Sequence, residues 1–241
     1  LVAMVCKARI FAQKSRGPEG VLWHTFATLM MVGFFGLLTP GEIFNLRPGD
    51  INLANSLSLG SGFAVLRIAR PKNARQMGVQ QYVEVRHPDA MNWLAWLKSQ
   101  RHSQESAVWP SNPTKFRNMF SQVCQSLNIS QLRLSPASLR AGGATWLIDE
   151  GFEVSRVRFM GRWAHLRSLE HYIQVARAQQ IALSIPASTA NSLKSFLLQH
   201  MFLLVLPVFF HSQVTPEHLV PSEVFAPVGD RKSTRLNSSH L

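Results

Sequence analysis

The stretch from Val21 to Leu38 constrains the fold more than any other, because its residues are apolar almost all the way round a helical wheel. A helix with no polar face has to be enclosed on every side, so the rest of the 241-residue chain must be arranged around it. The composition permits this. Hydrophobic residues make up 46% and charged residues 16%, a balance that suits a globular protein rather than a disordered one. The length accommodates one well-buried domain with a tail, or two small domains.

The segments around that helix carry clear punctuation. Thr39-Pro40-Gly41-Glu42 opens a second helix, with proline early and glutamate in the first turn, where the helix dipole favours negative charge. This helix holds Ile43 and Leu46 and stops near Arg47-Pro48-Gly49-Asp50. Residues 63–70 and 79–86 have strand-like composition, and Pro71-Lys72-Asn73-Ala74-Arg75 through Gly78 joins them as a β-hairpin. Helices are expected over 89–101, with Trp93, Trp96 and Leu97, and over 113–128. In the latter, Phe116, Met119, Phe120, Val123, Cys124 and Leu127 form one apolar stripe. Aromatic residues at helical spacing indicate core packing in preference to base stacking. Residues 138–150, 153–161 and 166–178 read as three further helices, broken at Gly151 and around Gly161. The expected class is mainly α with a small antiparallel β-hairpin or sheet, an α+β architecture.

From about Ile185 the character changes. Residues 185–230 are expected to form a poorly structured tail with Ser, Thr and Pro turns, following a domain over 1–184. The apolar run Met201 to Phe210 is ten residues long and contains Pro207, too short to cross a bilayer. Residues 231–241 resemble translated adapter sequence and are set aside. The start lacks an initiator Met and a signal-peptide pattern and reads as an amino-terminal truncation. Two cysteines, Cys6 and Cys124, cannot build a disulfide framework or a zinc site by themselves, and such usage suits a reducing intracellular compartment.

The formal net charge is +12, and residues 1–185 hold 21 Lys and Arg against 10 Asp and Glu, a surplus of 11. The arginines are dispersed through the folded part instead of gathered in an arm. The fitting partner is a polyanion, with nucleic acid ahead of an anionic membrane surface. Within that basic chain Arg140, Trp163 and Tyr172 recur at separations of 23 and 9 residues, in Ser138-Leu139-Arg140-Ala141-Gly142-Gly143-Ala144-Thr145, Gly161-Arg162-Trp163 and Tyr172-Ile173. The chain has only two tyrosines, Tyr82 and Tyr172, so abundance does not account for Tyr172. A phenolate attacking a phosphodiester forms a covalent phosphotyrosine and conserves the bond energy, which requires neither ATP nor a metal cofactor. With an ordinary tyrosine pKa near 10, that attack needs cations close to the phosphate. Arg140 can grip two non-bridging oxygens, and Trp163 can pack the site and offer its indole N–H. Lys72 can protonate the leaving oxygen, although Arg70 or Arg75 equally suits the tip of the hairpin. Gly142-Gly143 reads as a close helix contact, since no strand-loop-helix phosphate motif surrounds it.

These segments, with Leu37-Leu38-Thr39-Pro40-Gly41-Glu42, resemble the catalytic domain of tyrosine recombinases of the phage-integrase type over roughly residues 20–180. The resemblance implies DNA recombination or integration through a 3′-phosphotyrosyl intermediate, the activity of a mobile element. It makes Tyr172 the nucleophile, Arg140 the second arginine, Lys72 the hairpin lysine and Trp163 the His/Trp position. Glu42 corresponds to the acidic residue that accompanies the first arginine, while Arg70, Arg75 and Arg162 are candidate DNA contacts. The partner implied is double-stranded DNA, with a homo-oligomer, tetrameric in the family, assembled on it. The implied compartment is an intracellular one that contains DNA, the nucleus in a eukaryote. Two positions depart from the pattern: Thr39 stands where the first arginine belongs, and Ala137 where a histidine belongs. The departures point to impaired catalysis, since one lost transition-state donor costs about 10²–10³ in rate and a lost acid–base group about 10²–10⁴. Glu42 is left in need of another cation, for which Arg47 and His171 are the candidates. A duplex-binding relative that no longer cuts, and a helical interaction protein with incidental charge, are the alternatives.

Overall fold

A computed structural model describes residues 1–54, 62–100, 103–173, 180–181 and 183–205. The enclosed helix is α2, Pro18–Phe35, buried from Trp23 through Gly33. It ends three residues before Leu38 because the chain breaks into a turn in which Leu37 takes a φ of 49°. Helices α1 (Val2–Lys14), α5 (Pro88–Ser99) and α7 (Ala137–Asp149) pack against it. Between them come α3 (Pro40–Asn45) and a sheet of β1 (Ile51–Ala54), β2 (Phe63–Ile68) and β3 (Gln81–Val85). A short α4 (Ala74–Met77) lies in the β2–β3 connection, α6 (Pro113–Ser126) precedes α7, and α8 (Val154–Met160) and α9 (Leu166–Glu170) follow it.

The expected hairpin is the β2–β3 pair, antiparallel with Leu66 opposite Val83. The structure adds a third strand, β1, pairing Ile51 with Leu66 on the other side of β2. Four residues carrying Asn52 show too little alternation to announce a strand; the edge of β2 supplies the ordering. Ile51, Ala64, Leu66, Val83 and Val85 point to one buried face. A Cβ on Gly36, at the end of α2, would stand 3.1 Å from Val83 Cγ1, so the sheet seals that end of the helix. The α6 stripe is buried as its spacing predicts, with Phe116 against Phe26 at 4.6 Å between ring centroids.

Two further segments depart from the sequence reading. Helix α1 was not foreseen, and its buried side includes Arg9, 1% exposed. Arg9 donates to the His24 carbonyl at 3.0 Å and to Thr28 Oγ1 at 3.3 Å, and its guanidinium lies over the Trp93 ring. An Arg9 N–H also faces His24 Nδ1 at 3.3 Å, which requires that nitrogen to be unprotonated. Burial first, and the Arg9 charge second, push the His24 pKa down to about 3. The second departure is the tail. Residues Ala187–His200 form α10, and the turn Met201–Leu204 buries Leu203 and Leu204 beside α1. Trp93 Nε1 donates to the Leu204 carbonyl at 2.9 Å, so this part of the expected tail belongs to the core. Residues 206–241 lie outside the described residues. The expected helix over 166–178 is α9 as far as Glu170, and residues 174–179 are likewise outside. Among the described residues no helix is long and apolar enough to cross a membrane.

Candidate active site

The site begins at the turn that ends α2. Leu37, in its left-handed conformation, turns its carbonyl toward α7, where Arg140 Nη1 donates to it at 2.5 Å. Arg140 Nη2 donates to the Gly161 carbonyl at 2.6 Å. Arg140 is thus no surface arginine; it is 7% exposed and bridges the α2–α3 turn to the α8–α9 turn. Burial is the main reason its pKa falls to about 10, followed by repulsion from Arg162, with Glu42 pulling the other way. Burial on this scale is possible because α7 approaches α2 closely at Gly143, where an added Cβ would lie 3.1 Å from the Phe34 carbonyl carbon. The Gly142-Gly143 pair therefore makes a helix crossing, as read from the sequence.

Trp163 connects the arginine to the tyrosine. Its ring centroid is 4.1 Å from Arg140 Cζ and 5.4 Å from the centre of the Tyr172 ring. Gly161 is required beneath that ring, since a Cβ there would stand 2.6 Å from Trp163 Cη2 and nearer to other ring atoms. Trp163 itself is 5% exposed and packs with Leu37, Ala144, Leu147, Val157 and Leu169. Tyr172 follows α9, its N–H donating to the Leu169 carbonyl at 2.7 Å and its own carbonyl accepting from Thr145 Oγ1 at 3.3 Å. At 38% exposure it is the accessible member of the trio. It lines a cleft of about 590 Å³ with Arg133, Ser138, Thr145, Trp146 and His171. Arg140 is not on that wall. The guanidinium lies against the Trp163 ring and holds the Leu37 and Gly161 carbonyls, whereas the cleft is lined from α7 by Ser138, Ala141, Gly142 and Thr145.

Glu42 is the acidic centre of the inner cluster. Its Oε2 accepts the Thr39 N–H at 2.7 Å while Thr39 Oγ1 accepts the Glu42 N–H at 3.3 Å, a reciprocal capping box at the start of α3. Thr39 thus supplies a helix cap where the resemblance calls for an arginine. The cation that reaches Glu42 is neither Arg47, which pairs with Glu105 at 2.7 Å, nor His171 on the cleft wall. It is Arg162, whose Nη2 stands 2.9 Å from Glu42 Oε2, against 3.8 Å for Arg140 Nη1. The sequence makes Arg162 a candidate DNA contact, but it is 6% exposed with a φ of 60° and pairs with Glu42 instead. Nothing in the local sequence announces a pair 120 positions apart. The one available signal was Glu42 itself, an acidic residue whose expected partner was missing.

The β2–β3 connection is tied to the same turn. Asn73 Nδ2 donates to the Arg162 carbonyl at 2.6 Å, and Gln81 Nε2 donates to Asn73 Oδ1 at 2.9 Å. Lys72, directly before Asn73, is exposed, as are Arg70 and Arg75 on the same connection. Ala137 is the exposed first residue of α7 and brings no acid–base group. Among the described residues no cluster of three His, Cys, Asp or Glu is placed to hold a metal ion.

The mainly helical domain with its small antiparallel sheet is similar in fold to a recombinase of known structure. The particular likeness is to the crystal structure of XerA recombinase, with a TM-score of 0.51 and 13% sequence identity over 82% of this chain and 61% of that one. At that identity the likeness is one of fold, and the chain spans about three-fifths of the length of that structure. No family model and no curated protein matches the sequence.

Proposed function

We propose that the chain binds double-stranded DNA and breaks and rejoins it through Tyr172, at a rate lowered by the residues at positions 39 and 137. The Tyr172 Oη attacks the phosphorus, the P–O5′ bond breaks, and the phenolic proton is balanced by protonation of the leaving 5′ oxygen, a task assigned to Lys72. The observation that carries this reading is the Trp163 ring in contact range of both the Arg140 guanidinium and the Tyr172 ring. Arg140, Trp163, Tyr172 and, through Asn73, the Lys72 connection converge from four separate segments. The surplus of positive charge supplies the attraction for a phosphate backbone. Arg70 and Arg75 act as backbone contacts beside Lys72, and assembly on DNA is tetrameric, in a compartment that holds DNA.

A second reading, duplex binding without cutting, is favoured by the commitment of both Arg140 terminal nitrogens to the carbonyls of Leu37 and Gly161. A nicked suicide duplex separates the two. Strand transfer gives a covalent protein–DNA adduct that vanishes in Tyr172→Phe. Gel-shift binding without any adduct establishes the second reading, and no binding at low salt rejects both.

A further inference from the structure

Three charges meet in the inner cluster: Arg140, Arg162 and the Glu42 carboxylate, all buried or nearly so. Two cations against one anion leave one positive charge over. Which arginine carries that surplus is decided by geometry. Glu42 Oε2 sits 2.9 Å from Arg162 and 3.8 Å from Arg140, so the close ion pair belongs to Arg162. Arg140 instead spends its terminal nitrogens on two neutral carbonyls, which orient it without cancelling its charge.

Resting on the DNA reading above, we infer that Arg162 is a positioning residue that takes up most of the charge of Glu42 and thereby leaves the Arg140 guanidinium, farther from that carboxylate, with charge to offer a phosphodiester oxygen. Arg162 does from the α8–α9 turn what Thr39 cannot do from the start of α3. The turn is shaped for this. Arg162 adopts a left-handed φ of 60°, its carbonyl is held by Asn73 at 2.6 Å, and its Nη2 also faces the Leu37 carbonyl at 3.5 Å. Its Nε is buried with no partner among the described residues, so the side chain is held for Glu42 at the expense of one donor. Burial is the main cause of the depressed Arg140 pKa, and among the neighbouring charges repulsion from Arg162 comes ahead of attraction to Glu42, in keeping with this geometry. If Arg162 were absent, Glu42 would have only Arg140 to pair with, and the cluster would be neutral toward an incoming phosphate.

The test compares wild-type protein with Arg162→Met, Glu42→Gln and the double variant, each checked for folding by thermal melting. Affinity for one short duplex is measured by fluorescence anisotropy across a salt series. Arg162→Met should bind about tenfold more weakly, the scale of one charge-assisted contact. Its slope of log affinity against log salt should be shallower by roughly 0.9, one phosphate contact. Glu42→Gln should bind at least as tightly as wild type, and the double variant should return to within threefold of it, because removing both partners restores the surplus charge. A role in packing alone predicts that the double variant is no better than Arg162→Met, and that result overturns the inference. So does wild-type affinity in Arg162→Met. If Arg162→Met does not fold, weaker binding by Glu42→Gln overturns it. Failure of wild-type protein to bind duplex rejects the DNA reading and this inference together, whereas binding without a Tyr172 adduct rejects strand transfer alone.

Discussion

Alanine at Gly143 would put a methyl group into the crossing of α7 over α2. Its Cβ would stand 3.1 Å from the Phe34 carbonyl carbon, closer still to that carbonyl oxygen, and 2.8 Å from Leu37 Cδ2. The leucine methyl can swing aside. The Phe34 carbonyl cannot, because it is backbone at the end of α2, so the two helices have to part. Overpacking of this kind costs about 1–3 kcal/mol, and a backbone obstacle places Gly143→Ala at the upper end. Alanine returns about 1 kcal/mol of helix propensity relative to glycine, which leaves a net loss of about 2 kcal/mol. Gly142→Ala is the internal control. It gains the same propensity, and its Cβ meets only the Phe34 ring edge, 3.2 Å from Cε2, which can tilt. Its stability should stay within about 1 kcal/mol of wild type. Urea unfolding read as midpoint shifts at constant slope measures both. On the DNA-binding reading Gly143→Ala should also weaken duplex binding, because Leu37, whose carbonyl orients Arg140, lies three residues after Phe34 in the displaced segment. If Gly143→Ala proves as stable as Gly142→Ala, the close approach of α7 and α2 is wrong, and the burial of Arg140 built on it is wrong too.

Two further outcomes follow from other parts of the structure. In Gly161→Ala the added methyl collides with the Trp163 ring, so the indole must leave its place beside Arg140; a red shift and gain in quenching of tryptophan fluorescence relative to wild type is expected, with loss of the Tyr172 adduct on the strand-transfer reading, and an unchanged spectrum would refute the packing. His24, with a folded pKa held near 3 against an ordinary 6.5, contributes stability that is complete above pH 6.5 and is lost progressively as pH falls toward 3. Between pH 7 and pH 5 wild type should lose about 2 kcal/mol more than His24→Gln, at about 1.4 kcal/mol per unit below 6.5, and equal pH slopes in urea unfolding would count against the buried neutral imidazole.

Much of the frame was legible one segment at a time. The unbroken apolar character of α2 demanded enclosure, the stripe of α6 named its own buried face, and Thr39-Pro40-Gly41-Glu42 announced a helix start that the structure caps reciprocally. These are local energetics, in which a residue's role depends on neighbours within four positions. Helix α1 escaped notice because its buried face contains Arg9, a charge whose burial makes sense only beside His24, Thr28 and Trp93. Strand β1 escaped for a related reason, since a four-residue edge strand owes its order to the strand it pairs with. Helix α10 was hidden by its polar composition, and its anchoring to the core comes through the Leu203–Leu204 turn and Trp93.

The order of residues along the chain determined that a basic, mainly helical domain would form and that Arg140, Trp163 and Tyr172 would stand out in it. It also determined that position 39 would offer a cap instead of a cation. Tertiary structure alone decided that Arg162 turns inward to meet Glu42, that Arg140 faces two carbonyls, and that Tyr172 opens on a cleft which Arg140 does not line. The physical reason is range. Caps and amphipathic faces are settled by atoms a turn away, whereas the partner of a buried charge is whichever opposite charge the packed helices bring within a few ångströms.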